Sequence, residues 1–233
     1  MDDTRRQRLW LLGSTALVIV LIVVAAIAIG GAGGGTSGTT TGTPVGIADA
    51  RALFAGIPQR GTVLGDRRAP VTVTEYADLQ CPYCGRSARD EWPKSVRRYV
   101  RGGRVKLDLR LLDFLGPDST RGARLAAAAA LQGKLWQFAY LVYRNQGEER
   151  SGWITDAYLR RVAAGAGLDV RRAFAQRSSP AVRVALAAAK GAAAAAGIEV
   201  TPTFLIVRTG RKPRRVRGAA DLSGAVDDLL SAP

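Results

Sequence analysis

Short apolar runs and helical patterns alternate in the first half of the chain. Residues 71–76 (VTVTEY) are rich in β-branched side chains, which is typical of a short buried strand. Residues 82–100 carry a helical pattern that contains a proline, Pro93, at which we expect the helix to bend. Residues 105–112 (VKLDLRLL) alternate with the period of a strand. This order predicts a βαβ unit.

Alanine-rich helical patterns dominate the second half. They run from Ser119 to Gly197 and predict three to five helices. Strand patterns return in residues 201–208 (TPTFLIVR) and 214–218 (RRVRG), and a last helix is predicted from Asp221. Because strands bracket the helices, the pattern predicts an α/β or α+β domain that carries an all-helical subdomain.

A segment without charged residues, Leu9 to Ile29, lies near the N-terminus. As a helix it reaches about 32 Å, close to the roughly 30 Å hydrocarbon core of a bilayer. Arginines in residues 1–8 flank it, so the positive-inside rule keeps those residues in the cytoplasm and exports the rest of the chain. The pattern predicts a single-pass anchor at 9–29. The alternative is a cleaved signal peptide, because residues 26–28 (AIA) have the small-x-small form of a cleavage site.

Glycine and threonine dominate residues 30–44, a composition that predicts a flexible linker. The remaining residues, 45–233, are enough for one well-buried domain. The chain carries 34 basic and 19 acidic side chains, a formal charge of +15. Since the domain is predicted to lie outside the cytoplasm, nucleic acid is not expected as a partner. We attribute the charge to solubility and to attraction toward an anionic envelope or membrane surface.

Both cysteines of the chain lie in the CPYC sequence of residues 81–84. A zinc site needs four Cys or His ligands, and the chain has no histidine, so only a site shared across a dimer would serve. A purely structural disulfide is weak because closing so short a loop removes little entropy. A redox pair fits the position between a strand and a helix better, and no metal is expected.

The start of a helix favours the thiolate of Cys81, because unpaired N–H groups and the helix dipole face its sulfur. Pro82 suits the first helical position, where its missing N–H is not needed. Cys84, one turn later and more buried, is placed to resolve a mixed disulfide formed at Cys81. The pattern therefore predicts a nucleophile followed by a resolving cysteine.

Two further positions bear on this chemistry. Glu75 shares strand parity with Val71 and Val73, so its carboxyl is expected to point inward, to have a raised pKa and to relay protons to and from Cys84. The alternative is a solvated residue near a strand end. Thr201 and Pro202 precede a buried strand, where a proline often marks a cis bond or a tight turn.

Three segments carry a resemblance to a known family: TVTEYADLQCPYC at 72–84, LQGKLWQFAYLVYRNQ at 131–146 and GIEVTPTFLIV at 197–207. They resemble the DsbA-like, thioredoxin-fold family of exported thiol-disulfide oxidoreductases, including its membrane-anchored Gram-positive and actinobacterial relatives. The resemblance runs from about Gly56 to the C-terminus. It implies a thioredoxin fold with a helical subdomain inserted at about 118–197.

The resemblance also implies roles for single residues. Cys81 is the nucleophile, Cys84 the resolving cysteine and Glu75 the buried acid six residues before the motif. Pro202 is cis and faces the sulfurs, and the backbone of Thr201 pairs with the client. Many strong oxidases of this family carry a histidine inside the motif. Here the pair is Pro82 and Tyr83, which leaves the oxidising strength open.

The leading hypothesis is a membrane-tethered disulfide oxidase that acts on exported client proteins with free thiols. A DsbB-like or vitamin K epoxide reductase-like membrane partner would reoxidise it. No cofactor is expected beyond the redox-active disulfide of Cys81 and Cys84. The alternatives are a reductase or isomerase, for instance in cytochrome c maturation, and a non-enzymatic envelope-binding or chaperone module. A glutaredoxin also uses CPYC, but the export signal and the helical insertion argue against it.

Overall fold

The structure is a computed structural model that describes residues 42–231. The predicted anchor at 9–29 and nearly all of the predicted linker at 30–44 lie outside the described residues. Within residues 42–231, no helix combines the length and the hydrophobicity that a membrane crossing requires.

Six strands form one sheet in the order β1-β2-β4-β3-β5-β6. The central strands β3 and β4 are parallel, and the other neighbouring pairs are antiparallel. In chain order the strands are β1 (Gln59–Arg60), β2 (Val63–Leu64), β3 (Val71–Asp78), β4 (Val105–Leu112), β5 (Thr203–Arg208) and β6 (Arg214–Arg217). The parallel pair confirms the predicted βαβ unit, because parallel neighbours need a crossover connection.

Eight helices accompany the sheet in the described part of the chain. They are α1 (Ile47–Phe54), α2 (Pro82–Ser95), α3 (Pro117–Leu131), α4 (Leu135–Arg144), α5 (Asp156–Gly165), α6 (Val170–Gln176), α7 (Pro180–Ala195) and α8 (Leu222–Ser231). The helix α2 crosses between β3 and β4. Helices α3 to α7 lie between β4 and β5, where the alanine-rich pattern predicts helices.

The strand β3 is buried along almost its whole length, with only Thr72 partly exposed. It lies between β4 and β5 and has covered faces on both sides, so both faces of the strand need side chains that tolerate burial. The run VTVTEYAD meets this need with β-branched and aromatic residues. The carboxyl end of β3 therefore lies inside the protein, and α2 begins there rather than at the edge of the protein.

The helix α2 presents Cys84, Ala88 and Trp92 at intervals of four residues, and all three are buried. Pro93 lies inside the helix, and a π-helical segment, Val96–Val100, continues it. The sequence predicts a bend at Pro93. The structure shows the departure from regular α-helix a few residues later, as a widened turn.

Aromatic side chains of α4 hold α2 in place. Trp136 and Tyr143 are 1% exposed, and their rings pack against Trp92 with centroids 4.8 Å and 5.7 Å away. Buried aromatic rings contribute large apolar areas and prefer such edge-to-face geometry. The inserted helices therefore share one core with the cysteine-bearing helix.

Candidate active site

The two cysteines occupy the start of α2. Cys81 is the N-cap residue, with extended backbone, and its Sγ accepts a hydrogen bond from the backbone N–H of Cys84 at 3.4 Å. Pro82 occupies the first helical position. Both cysteines are free thiols in this structure, and Cys84 is fully buried. The geometry thus places the sulfur of Cys81 at the helix terminus and that of Cys84 behind it.

The surroundings separate the proton affinities of the two sulfurs. Hydrogen bonding by the Cys84 side chain, helped by backbone N–H groups, lowers the pKa of Cys81 to about 6 against the opposing effect of burial. Burial, reinforced by the negative charges of Cys81 and Glu75, raises the pKa of Cys84 well above its ordinary value. At neutral pH the first sulfur is therefore a thiolate and the second a thiol, the arrangement of a nucleophile beside a protonated partner.

Glu75 lies in the middle of β3, paired with Leu109 of β4 on one side and Phe204 of β5 on the other. Its side chain is 3% exposed, and its Oε2 accepts a hydrogen bond from Trp92 Nε1 at 2.7 Å. Burial raises the pKa of this carboxyl to about 7, although the Trp92 hydrogen bond lowers it. The inward orientation is confirmed, and the alternative of a solvated strand-end residue is wrong.

The segment before β5 faces the cysteines from the other side. The Thr201–Pro202 peptide bond is cis, and Cys81 Sγ lies 3.3 Å from the Thr201 carbonyl oxygen. An open groove of about 460 Å³ runs beside this contact, and Pro202 and Tyr83 are among its lining residues. Tyr83 is 64% exposed, so it contributes to the surface around the sulfur rather than to the core.

A larger open cavity of about 1090 Å³ lies among the inserted helices. Arginines and aspartates such as Arg124 and Asp156 line it, and neither Thr201 nor Pro202 does. We assign the active site to the smaller groove because Thr201, whose carbonyl oxygen contacts Cys81 Sγ, is one of its lining residues.

A buried carboxylate anchors the loop between β3 and α2. Asp78 Oδ1 accepts hydrogen bonds from Ser119 Oγ at 2.6 Å and from the Gln80 N–H at 2.9 Å, and Oδ2 accepts from the Leu115 N–H at 3.1 Å. Burial nevertheless raises the pKa of Asp78. Since Ser119 belongs to α3, these bonds tie the active-site loop to the inserted helices.

A second clamp comes from Gln146, just after α4. Its Nε2 donates to the backbone carbonyls of Leu79 and Cys81, both at 3.0 Å. Two loop carbonyls just before the start of α2 are thus held by a side chain of the insertion. The position of Cys81 therefore depends on residues about 65 positions later in the sequence.

The sequence alone assigned no role to the clamp residues Asp78 and Gln146, nor to Trp92, the hydrogen-bond partner of Glu75. Trp92 carried a signal, because it follows Cys84 by eight residues and so shares its helix face. Asp78 and Ser119 carried none, since nothing in their spacing predicts a contact between residues 41 positions apart. The predicted residues Cys81, Cys84 and Glu75 are brought together with the Thr201–Pro202 segment.

Together these elements define a class: a thioredoxin-fold protein whose helical subdomain is inserted between the second strand of the βαβ unit and the antiparallel strand after the cis-proline. The family comparison agrees. Residues 59–228 match the protein-family model described as Thioredoxin, and the chain belongs to that family. Within it, the helical insertion gives the chain the architecture of the DsbA-like members.

The chain is similar to proteins of known structure and to curated proteins. The crystal structure of oxidised BdbD from Bacillus subtilis is 20% identical, with a TM-score of 0.66 over 76% of this chain and 98% of that one. The probable disulfide bond formation protein D of Bacillus cereus is 35% identical over 41% of this chain and 45% of its own length. The Na(+)/H(+) antiporter NhaA 3 of Salinispora tropica is 34% identical over 72% of this chain.

This chain matches only part of the length of the two curated relatives. The chain spans 24% of the length of the Salinispora antiporter and under half of the Bacillus cereus protein. The antiporter similarity thus concerns a quarter of that protein. The BdbD likeness, at 20% identity, establishes the fold.

Proposed function

We propose that this protein is a thiol-disulfide oxidoreductase that introduces disulfides into exported proteins. The observation that carries the proposal is that the pKa values of the two cysteines shift in opposite directions. The pKa of Cys81 is lowered to about 6, and that of Cys84 is raised well above its ordinary value. A low-pKa sulfur is a good leaving group, so the mixed disulfide at Cys81 is released readily toward the client. The likeness to disulfide bond formation protein D supports the same direction.

The exchange proceeds in two steps from the oxidised Cys81–Cys84 form. A client thiolate attacks the sulfur of Cys81, and Cys84 leaves as a thiolate that takes a proton from Glu75. A second client thiolate then attacks the client sulfur of the mixed disulfide, and Cys81 leaves as a stabilised thiolate. The client loses two electrons and gains a disulfide, and the cysteine pair becomes a dithiol. No cofactor enters these steps, because the two sulfurs are the redox centre.

Continued turnover requires that the dithiol lose two electrons. We assign this step to a quinone-linked membrane protein of the DsbB-like or vitamin K epoxide reductase-like type, and the tether predicted at residues 9–29 supports such a partner by keeping the domain near the membrane. The same segment supports a location in the cell membrane, with the N-terminus cytoplasmic and the catalytic domain outside. Clients with free thiols would bind along the groove beside Thr201.

The alternative within the same chemistry is a reductase or isomerase. It is favoured by the absence of a histidine between the cysteines, where the chain has Pro82 and Tyr83. A non-enzymatic binding module is the alternative outside it. The three hypotheses differ in the reactivity of Cys81 and in the potential of the cysteine pair.

Two measurements separate them. The first is the rate of iodoacetamide alkylation of Cys81 against pH, for which we expect a midpoint near pH 6; a midpoint near 9, typical of an unperturbed thiol, supports the binding module. The second is the equilibrium of the pair with glutathione. An oxidising couple near that of strong oxidases supports the proposal, whereas a thioredoxin-like couple, about −270 mV, supports a reductase.

A further inference from the structure

A buried hydroxyl lies beside the Glu75 carboxyl and is not used by the exchange steps above. Ser87 is 1% exposed and follows Cys84 by three residues, on the same side of α2. Ser87 Oγ and Glu75 Oε1 are both buried without a partner in hydrogen-bond geometry among the described residues. The other carboxyl oxygen, Oε2, is occupied by Trp92. Two orphaned polar atoms therefore belong to neighbouring side chains.

The two groups are nevertheless close. Hydrogen bonding by Ser87 is among the influences that lower the pKa of Glu75, so the hydroxyl lies within reach of the carboxyl although it is not aligned with it. A serine hydroxyl can be both donor and acceptor, and it changes partner by rotation about a single bond. Ser87 can thus donate to the ionised carboxylate and turn away from the protonated acid.

Ser87 also reaches the surface groove. It lines the groove of about 460 Å³ beside Thr201 and Pro202, and the acidic side chains Asp90 and Glu91 line the same groove. Glu75 itself is 3% exposed and does not line the groove. Ser87 is therefore a polar residue that both lines the groove and acts on the Glu75 carboxyl.

Other groups around Glu75 do not serve in this way. The charges that act on it or respond to it belong to Cys81 and Cys84 of α2 and to Tyr143 of α4. Its neighbours in β4 and β5, Leu109 and Phe204, are apolar. Among these groups and Trp92, none lines the groove.

We propose that Ser87 is the proton relay between groove water and Glu75. The inference rests on the proposed function, because Glu75 needs a new proton only if it has protonated the Cys84 thiolate. In the relay, rotation of the Ser87 side chain lets water from the groove reach its otherwise buried Oγ, and the hydroxyl gives its proton to the Glu75 carboxylate as it takes one from a hydronium ion there. One proton enters, one hydroxyl is restored and no electrons move. Ser87 acts through Glu75 and is a positioning residue.

The test compares Ser87→Ala with Ser87→Thr, which keeps the hydroxyl, and with Ser95→Ala, the same change at another buried serine of α2. The first readout is the infrared carboxyl band of Glu75, assigned by its loss in Glu75→Gln and titrated in each variant. Ser87→Ala should raise the midpoint by about one pH unit, the effect of losing one hydrogen bond to a charged acceptor. Ser87→Thr and Ser95→Ala should keep the midpoint of the unmodified protein.

The second readout is the rate at which the oxidised protein accepts electrons from a dithiol peptide, measured against pH in H₂O and D₂O. The pH profile should move upward in Ser87→Ala, and the solvent isotope effect should fall. In a Glu75→Gln background Ser87→Ala should change neither quantity, since additive effects mark independent sites. Additive effects, or an unmoved Glu75 midpoint, would overturn the relay.

The infrared titration does not depend on activity, so the two proposals fail separately. If the unmodified protein does not oxidise the peptide, the proposed function fails, and the carboxyl midpoint still decides whether Ser87 bonds to Glu75. If the peptide is oxidised and Ser87→Ala behaves as the unmodified protein does, the relay alone is wrong.

Discussion

Cys81 and Cys84 have the same chemistry in an unfolded chain, and the folded environment makes them different. The sulfur of Cys81 meets hydrogen-bond donors at a helix start, and the sulfur of Cys84 meets an apolar interior and a carboxyl. The assignment of nucleophile and resolving cysteine follows from this difference. It requires the three-residue spacing that places both sulfurs at one end of α2.

The division of roles predicts a trapping experiment. Cys84→Ser should accumulate mixed disulfides between Cys81 and client proteins, because Cys81 can still attack client disulfides while the internal thiol that displaces the client from Cys81 is gone. Cys81→Ser, the matched control, should accumulate almost none. The measurement is a non-reducing gel of cells that express each variant. Equal trapping by both, or trapping by Cys81→Ser alone, would reverse the assignment.

Glu75→Gln tests the buried carboxyl through stability. The pKa of Glu75 is raised from 4.5 to about 7, so the folded protein holds this proton more tightly than the unfolded chain does. The resulting stabilisation is complete below about pH 4.5 and is lost as pH rises through about 7. At about 1.4 kcal/mol per pKa unit, the loss is on the order of 3 kcal/mol.

Glu75→Gln should not show this loss of stability with rising pH. Denaturant unfolding of the oxidised form, in which neither sulfur titrates, should show Glu75→Gln as stable as the unmodified protein or more so at pH 8, with a smaller decrease between pH 5 and pH 8. Attack of a client thiolate on the oxidised pair should also be slower, with an altered pH profile, because Cys84 then leaves without a proton from Glu75. The same decrease in both proteins would mean that Glu75 is not the titrating group.

At the scale of single residues the sequence predicts orientation better than contact. Strand parity with Val71 and Val73 placed the Glu75 side chain inward, and that was confirmed. The hydrogen bond from Trp92 was beyond the pattern, because it depends on the angle and distance at which α2 crosses β3. The crossing angle and distance follow from the packing of α2 against α4. The spacing of residues within α2 or within β3 does not predict that packing.

At the scale of elements, the loop from β3 to α2 is held by the insertion rather than by its own sequence neighbours. Asp78 accepts a hydrogen bond from Ser119, 41 residues later in the chain, and Gln146 donates one to Leu79, 67 residues earlier. These bonds hold the loop in place. Periodicity predicted the strand and helices that flank the loop. The short strands β1 and β2 and the π-helical segment were not assigned individually, because two to five residues carry too little periodicity.

Gly85 makes the clamp testable. A Cβ at this position would overlap Gln146 Oε1 and lie 2.9 Å from Arg89 Nη1, so Gly85→Ala should displace the Gln146 side chain. Two hydrogen bonds to loop carbonyls are then lost. We expect a decrease of about 1 to 2 kcal/mol in unfolding free energy, measured by denaturant titration, since each bond contributes about 0.5 to 1.5 kcal/mol and alanine offsets part of the loss.

Gly191→Ala is the control for the glycine substitution. A Cβ at Gly191, within α7, meets open space, so this change should stabilise the protein by about 0.5 to 1 kcal/mol. If Gly85→Ala stabilises the protein to the same extent, Gln146 does not fix the loop.

At the scale of the whole molecule, the family match and the fold confirm the DsbA-like resemblance that the CPYC, aromatic and Thr201–Pro202 segments carried. The order of strands and helices could be predicted because each segment is long and periodic. The direction of electron flow could not, because it depends on the difference in free energy between the dithiol and the disulfide. That difference is a sum of small effects on two sulfurs.

Membrane attachment is the prediction that belongs to this scale. The uncharged segment at 9–29 should keep the full-length protein in the membrane fraction after washing with high salt and with carbonate at pH 11, whereas attachment through the charge of +15 alone would be reversed by salt. The measurement is an immunoblot of pellet and supernatant. A soluble form that begins near Ile29 would contradict the anchor and show a cleaved signal peptide.

The two borders of the sheet have a consequence for a protein that handles unfolded chains. The strand β1 is only two residues long, and β6 is four residues long with Arg214, Arg215 and Arg217 exposed. Extended polypeptides tend to add to an uncovered sheet edge, and short or positively charged edges discourage that addition. A protein with the proposed function meets such polypeptides continually. Borders of this kind protect it from co-aggregation with its own clients, so that contact lasts as long as the disulfide exchange and no longer.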